Sequence, residues 1–189
     1  MARTWIALTI VTAVIATSAR ADDKKPVDAK GAPVTPVPPP AVAAQLSALE
    51  GNWRCVGKEH ASAMGPERAF KATIVSKIEL GGFWLTFRLA EETSSARPAA
   101  YNNLAIMGSD GKDGLRRSGV DSMGASLQGT SKGWSGDKLV WDGELAIGPQ
   151  KVVFRETLTR KGATELSSLV EVQVAPGKWA TASEVACKK

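Results

Sequence analysis

The sequence predicts an all-β fold, an antiparallel up-and-down barrel of about ten strands with a short N-terminal helix. Three observations carry this prediction. Beyond residue 50 no apolar repeat of helical period survives, and short runs of alternating apolar and polar residues replace it. Each run is bounded by turn chemistry, as at Gly81-Gly82, Asp110-Gly111, Asp121-Ser122-Met123-Gly124, Gly148-Pro149, Lys161-Gly162 and Ala175-Pro176-Gly177. Strands joined by such tight turns pair antiparallel with their sequence neighbours, and closing the sheet removes its exposed edges.

In chain order, Met1–Ala21 has the form of a secretory signal peptide. Arg3 supplies the positive start, Trp5–Ala16 the apolar stretch, and Ala19-Arg20-Ala21 a small-x-small cleavage site. The stretch falls short of the roughly 20 residues that a membrane-crossing helix needs. The expectation is a secreted or periplasmic protein with no membrane span after cleavage. Residues 22–40 hold six of the ten prolines and no aromatic residue, so they read as a disordered, Pro-rich linker in extended geometry. The domain then occupies 41–189. Ala41–Leu49, rich in helix formers, follows a proline stop and reads as the short helix. Strands are expected over 51–58, 70–79, 82–91, 101–108, 113–121, 124–131, 137–144, 150–160, 164–174 and 178–187, with His60–Ala69 as a long connection capping one end.

Alternation also sorts the faces. Phe70, Ile74 and Ile78 share one side of their strand, and Phe83, Leu85, Phe87 and Leu89 one side of the next. Leu139, Trp141, Val152, Phe154, Leu158, Leu166, Val170, Val172, Val174, Trp179 and Val185 continue the inward series. Lys71, Lys77, Arg88, Arg155, Thr157, Thr159, Glu171 and Gln173 lie opposite, as expected of a sheet with one wet side.

Composition excludes several function classes. The chain of 189 residues is 43% hydrophobic, enough for one globular core. Two cysteines and one histidine cannot supply the roughly four nitrogen and sulfur ligands of a zinc centre, so no metal and no cofactor are expected. Losing Arg3 and Arg20 with the signal peptide lowers the net charge from +5 to +3, and the cations are scattered. No basic stripe with interleaved aromatics exists, so nucleic acid is not an expected partner. Cys55 and Cys187 lie in the first and last strands. In an export setting they are expected to oxidise to each other, fastening the strands that a closed barrel brings together.

Leu49-Glu50-Gly51-Asn52-Trp53 opens the first strand with Gly-x-Trp directly after a helix. This resembles the start of a lipocalin or wider calycin barrel, in which the tryptophan plugs the floor. The strand count and the Gly51-x-Trp53-x-x-x-Gly57 spacing are similar to nitrobindin-type barrels and to secreted bacterial lipocalin-like domains. The resemblance covers Gln45–Lys189 and implies a barrel that holds a small apolar ligand. Nitrobindin-like proteins hold haem through a histidine late in the chain and carry a second glycine where this sequence has Cys55. The single His60 lies early, in a loop, so haem is not implied.

The candidate chemistry is sparse. Centring the 150–160/164–174 hairpin on Gly162 sets Glu156 opposite Ser168, on the face of Phe154 and Leu158, and the same parity turns Ser76, Thr181 and Ser183 inward. Glu156, Ser168, Phe87, Trp141 and Phe154 are therefore the candidate ligand-binding residues. Trp84, Trp134 and Trp141 form a candidate platform. No paired carboxylates, nucleophile elbow or phosphate loop appears, and the many glycines sit at turns. The leading expectation is a non-enzymatic, exported barrel binding a small apolar ligand in its lumen. The alternative is a barrel packed solid by Phe70, Phe83, Phe87, Trp141 and Phe154 that contacts another protein at the cell envelope. A barrel isomerase or hydrolase using Glu156 as base is the third reading.

Overall fold

The computed structural model describes residues 36–39, 44–62, 65–95, 97 and 99–189, and its compact barrel unit spans Val37–Lys189. The signal peptide at 1–21, the linker apart from 36–39, and residues 41–43 of the expected helix lie outside the described residues.

Residues 44–49 form one short helical segment, α-helical over 44–46 and 3-10 over Ser47–Leu49. The strands are β1 (Gly51–Glu59), β2 (Arg68–Glu79), β3 (Trp84–Glu91), β4 (Asn102–Ser109), β5 (Leu115–Asp121), β6 (Ala125–Ser131), the two-residue β7 (Trp134–Ser135), β8 (Lys138–Ile147), β9 (Gln150–Arg160), β10 (Glu165–Ala175) and β11 (Lys178–Lys188). Neighbouring strands pair antiparallel along the chain. β6 pairs β8, with β7 set aside as a spur, and β1 pairs β11, so the ten long strands close into a barrel. Among the described residues, no helix is long and apolar enough to cross a membrane.

The barrel has two unlike ends. One holds the helix and the start of β1. Leu46 and Leu49 reach into it and bury against Leu85, Met107, Leu115, Leu139, Trp141 and Leu158. The last helical carbonyls of such a segment need partners. Leu49 O accepts from Trp53 Nε1 at 3.0 Å and from the buried Ser76 hydroxyl, which ties the plug to β1 and β2. The tryptophan of the Gly-x-Trp motif thus sits at the floor, and Gly57 leaves room for the Phe70 ring, which a Cβ there would meet at 2.4 Å. The opposite end is the mouth, where the 60–67 and 92–101 connections lie.

Inward parity fails at four expected positions. Phe83 belongs to the turn after the 3-10 segment Leu80–Gly82, because positive φ at Gly81 and Gly82 delays the strand until Trp84. A bulge in β11 sets Val170 against Ser183 but Glu171 against Thr181, skipping Ala182. Each side chain before it changes face, so Thr181 and Trp179 point outward and Trp179 stacks under Arg155, 4.8 Å from its guanidinium carbon. A second shift at Gln173/Ala175 leaves Val174 exposed.

Cys55 and Cys187 are direct partners across β1 and β11, Cα atoms 4.1 Å apart, and joined as a disulfide. The bond spans 132 positions of chain, which the loop-entropy model values at up to ~5 kcal/mol. Cys55→Ala/Cys187→Ala is therefore expected to lower unfolding free energy by about 3 kcal/mol or more in urea melts. A loss under about 1 kcal/mol contradicts the role of the bond as the staple of the closed chain.

Candidate functional site

The inner wall carries one charged pair deep in the barrel. Arg117 on β5 faces inward, and its guanidinium donates to Glu156 Oε2 on β9, three strands away around the ring. The inner-face row that separates them runs Arg117, Gly129, Gly143, Phe154. Two adjacent glycines leave a trough, and the arginine lies along it: a Cβ on Gly129 would stand 3.2 Å from Arg117 Nε, and one on Gly143 only 2.8 Å from Phe154 Cζ. These glycines serve close packing inside strands, whereas the sequence placed glycines at turns. The guanidinium carbon is 4.9 Å from the Trp141 ring centre and 5.0 Å from that of Phe154, so the charge rests between aromatic faces.

Glu156 has a second partner. Ser168 Oγ donates to its Oε1 at 2.6 Å. The contact expected between these two residues therefore exists, although the register differs: Glu156 pairs Val170, and Ser168 pairs Leu158. The hairpin turn is centred one residue beyond Gly162, on Ala163, a shift of two in the pairing that keeps the face. Burial alone pushes the Glu156 carboxyl up, but the Arg117 charge and the hydrogen bonds from Ser168 and Arg117 outweigh it and hold the group below its ordinary value.

The other candidates divide. Phe154 touches the pair, and Phe87 is half-buried between the two core clusters. Trp141 is fully buried beneath the guanidinium. The three-tryptophan platform does not form. Trp84 is half-buried on the outer wall beneath Arg116, and Trp134 holds the helix by donating its Nε1 to Gln45 O at 2.7 Å. Sequence patterning assigns Arg117 no role, because it stands beside Arg116 as one of the scattered cations.

No family model and no curated protein matches the chain by sequence. Among solved structures, the crystal structure of Rv2717c from M. tuberculosis is similar, with a TM-score of 0.64 at 14% identity, covering 80% of this chain and 98% of that chain. The likeness is one of fold. The chain shares the antiparallel barrel, and at that identity the likeness carries neither the calycin nor the lipocalin family across.

The lumen is filled unevenly. Near the floor, Leu85, Leu139 and Trp141 are fully buried. Towards the mouth, the inward-facing Leu89, Leu127, Leu145, Val152 and Val172 are only half-buried. The β1–β3 side of the mouth is polar. Arg68 holds Glu59 at 2.7 Å and also Glu91, and Arg97 reaches Glu91 at 3.2 Å. Two depressions lie on the wall, one over the outer faces of β1, β11, β10 and β9, the other over β1, β2 and Lys189. Neither depression is lined by Leu89, Leu127, Leu145, Val152 or Val172. Among those residues no cluster of three or more His, Cys, Asp or Glu could hold a metal. His60 lies beyond β1 between Glu67 and Glu184, on the outer wall with Lys58.

Glu156→Gln leaves the buried Arg117 without its counter-charge and is expected to cost about 3 kcal/mol at neutral pH. Because folding depresses the Glu156 pKa, its contribution is fully present above the ordinary carboxylate range and is lost as pH falls through the folded-state value. Urea melts should show the gap between the wild type and Glu156→Gln at about pH 7 and its narrowing towards about pH 2. Equal stability at neutral pH contradicts the pairing.

Proposed function

We propose that this chain is an exported, non-enzymatic barrel that binds a small apolar molecule in the mouth half of its lumen. The observation that carries this reading is the contrast within one inner wall. Apolar side chains of equal kind are sealed near the plug yet reachable by solvent above the Arg117–Glu156 pair. An apolar surface left wet in a concave site gains free energy when a ligand displaces the water. Leu127, Leu145 and Val152 form one row of that wall across β6, β8 and β9.

The state of Glu156 supports a binding role over a catalytic one. A general base works best with a pKa near the working pH, and this carboxylate is pulled the other way and has both oxygens engaged. Export is supported by the disulfide, which persists in oxidising compartments, and by the signal-like character of 1–21.

Titration with a neutral naphthylamine dye, whose fluorescence rises in apolar surroundings, tests the reading. Saturable binding at one dye per chain is expected. Val152→Arg, which sets a charge on the inner wall, should weaken it by at least about tenfold, while Val153→Arg on the outer face should not. Failure to saturate, or equal loss in both variants, contradicts a lumenal site and favours the packed barrel that contacts another protein.

A further inference from the structure

We infer that the outer wall of β1–β5 is a docking surface for an anionic lipid membrane. The inference is independent of the lumenal reading, because it uses only side chains that face away from the lumen.

The fold gathers cations that are dispersed along the sequence. The outward positions of β1–β5 hold Arg54, Lys58, Lys71, Lys77, Arg88 and Arg116, against a single acid, Glu79, at the floor end. Glu92 borders the wall at the mouth end, where its N–H donates to Lys71 O at 2.8 Å. Register sets the cations side by side. Arg54 stands opposite Thr73, between Lys71 and Val75 on the outer face of β2, and Arg88 stands opposite Val75, next to Lys77. Paired strands are about 4.8 Å apart, so these four belong to one field, with Arg116 two strands further round. Lys58 pairs Glu67 at 2.9 Å, and among the described residues the other five make no salt bridge. On β8–β11, by contrast, acids are as frequent as cations, and Lys151–Glu144, Arg155–Asp142 and Lys188–Glu165 are paired at 2.8, 2.8 and 3.0 Å. Unpaired like charges on one face repel one another, and an anionic partner reverses that cost.

Apolar side chains lie between the charges. Val75, Arg88, Leu104 and Val120 form one outer row across β2–β5, and Val75, Val120 and the neighbouring Ile106 are exposed. Lysine and arginine stems can lie along such surface while their charges reach outward.

These features fit a lipid surface better than a protein partner. Protein interfaces centre on an aromatic or arginine anchor seated in a pocket, and they are poor in lysine. The one aromatic on this wall, Trp84, is half-buried beneath Arg116, whose guanidinium carbon lies 5.0 Å from its ring centre. A protein would need a concave face to match a convex barrel wall, whereas lipid headgroups rearrange around it. The field of an anionic bilayer also extends about 8–10 Å at ordinary salt, so the flanking cations are felt. Each cation near such a surface strengthens attachment about fivefold.

Co-sedimentation of the full chain with vesicles tests this, using phosphatidylcholine alone and phosphatidylcholine with about one third phosphatidylglycerol. At about 0.1 M salt the anionic vesicles should bind at least about tenfold tighter, and about 0.5 M salt should remove that advantage. Lys77→Glu/Arg88→Glu should weaken anionic binding by at least about tenfold, and the neutral Lys77→Gln/Arg88→Gln by about fivefold or more. Lys138→Glu/Lys151→Glu on β8 and β9 reaches the same net charge as the first variant and should stay within about threefold of the wild type. All these substitutions fall on exposed side chains, and the apolar stretch Trp5–Ala16 is common to every protein compared. Equal attachment to both vesicle types, or equal weakening by the two charge-reversed variants, overturns the assignment. Tighter binding to soluble polyglutamate than to the anionic vesicles also overturns it, and would make the wall a contact for an acidic protein.

Discussion

Ring closure is the constraint on which the rest of the molecule depends. A sheet of ten long strands with open ends would expose two rows of backbone donors and acceptors to water and to other chains. Here β1 meets β11 over Arg54–Glu59, and β6 meets β8 across the β7 spur. Closure turns every alternate side chain into a shared interior, which brings a residue of β5 against a residue of β9. Without the curvature that closure imposes, Arg117 and Glu156 would stand three strands apart on a ribbon.

Two devices then divide that interior. At the floor the 44–49 segment supplies Leu46 and Leu49, and its terminal carbonyl is satisfied by Trp53 and Ser76. Higher up, the paired glycines 129 and 143 admit a guanidinium that spans three strands, and its charge is balanced by Glu156 and cushioned by Trp141 and Phe154. An ion pair in such a place is not an economical way to gain stability, because desolvation offsets most of the attraction. Its geometric effect is clearer. It sets a buried charged pair beneath the half-buried apolar row of Leu127, Leu145 and Val152.

Much of this was legible from sequence, and the reasons are physical. Turn residues bound the strands so sharply that β9 begins and ends where Gly148-Pro149 and Lys161-Gly162 place it. The Cys55–Cys187 pairing and the inward face of Glu156 followed from closure and parity. Arg117 was hidden because β5 has only two large apolar residues, Leu115 and Val120, and they point to opposite faces, so alternation cannot say which side is inner. The glycine trough was hidden by the β7 spur, since the register of β6 on β8 cannot be counted across a six-residue excursion. Trp179 and Thr181 were misplaced by one skipped residue, Ala182, which no local signal announces.

Amide hydrogen exchange along the seam between the first and last strands tests closure most directly. With the disulfide reduced, so that the covalent bond cannot substitute for pairing, ladder amides within Cys55–Glu59 and Ser183–Cys187 should exchange as slowly as those of the β2–β3 ladder. Exchange at the seam as fast as at an exposed strand edge, with β2–β3 still protected, would contradict a ring held shut by its own hydrogen bonds.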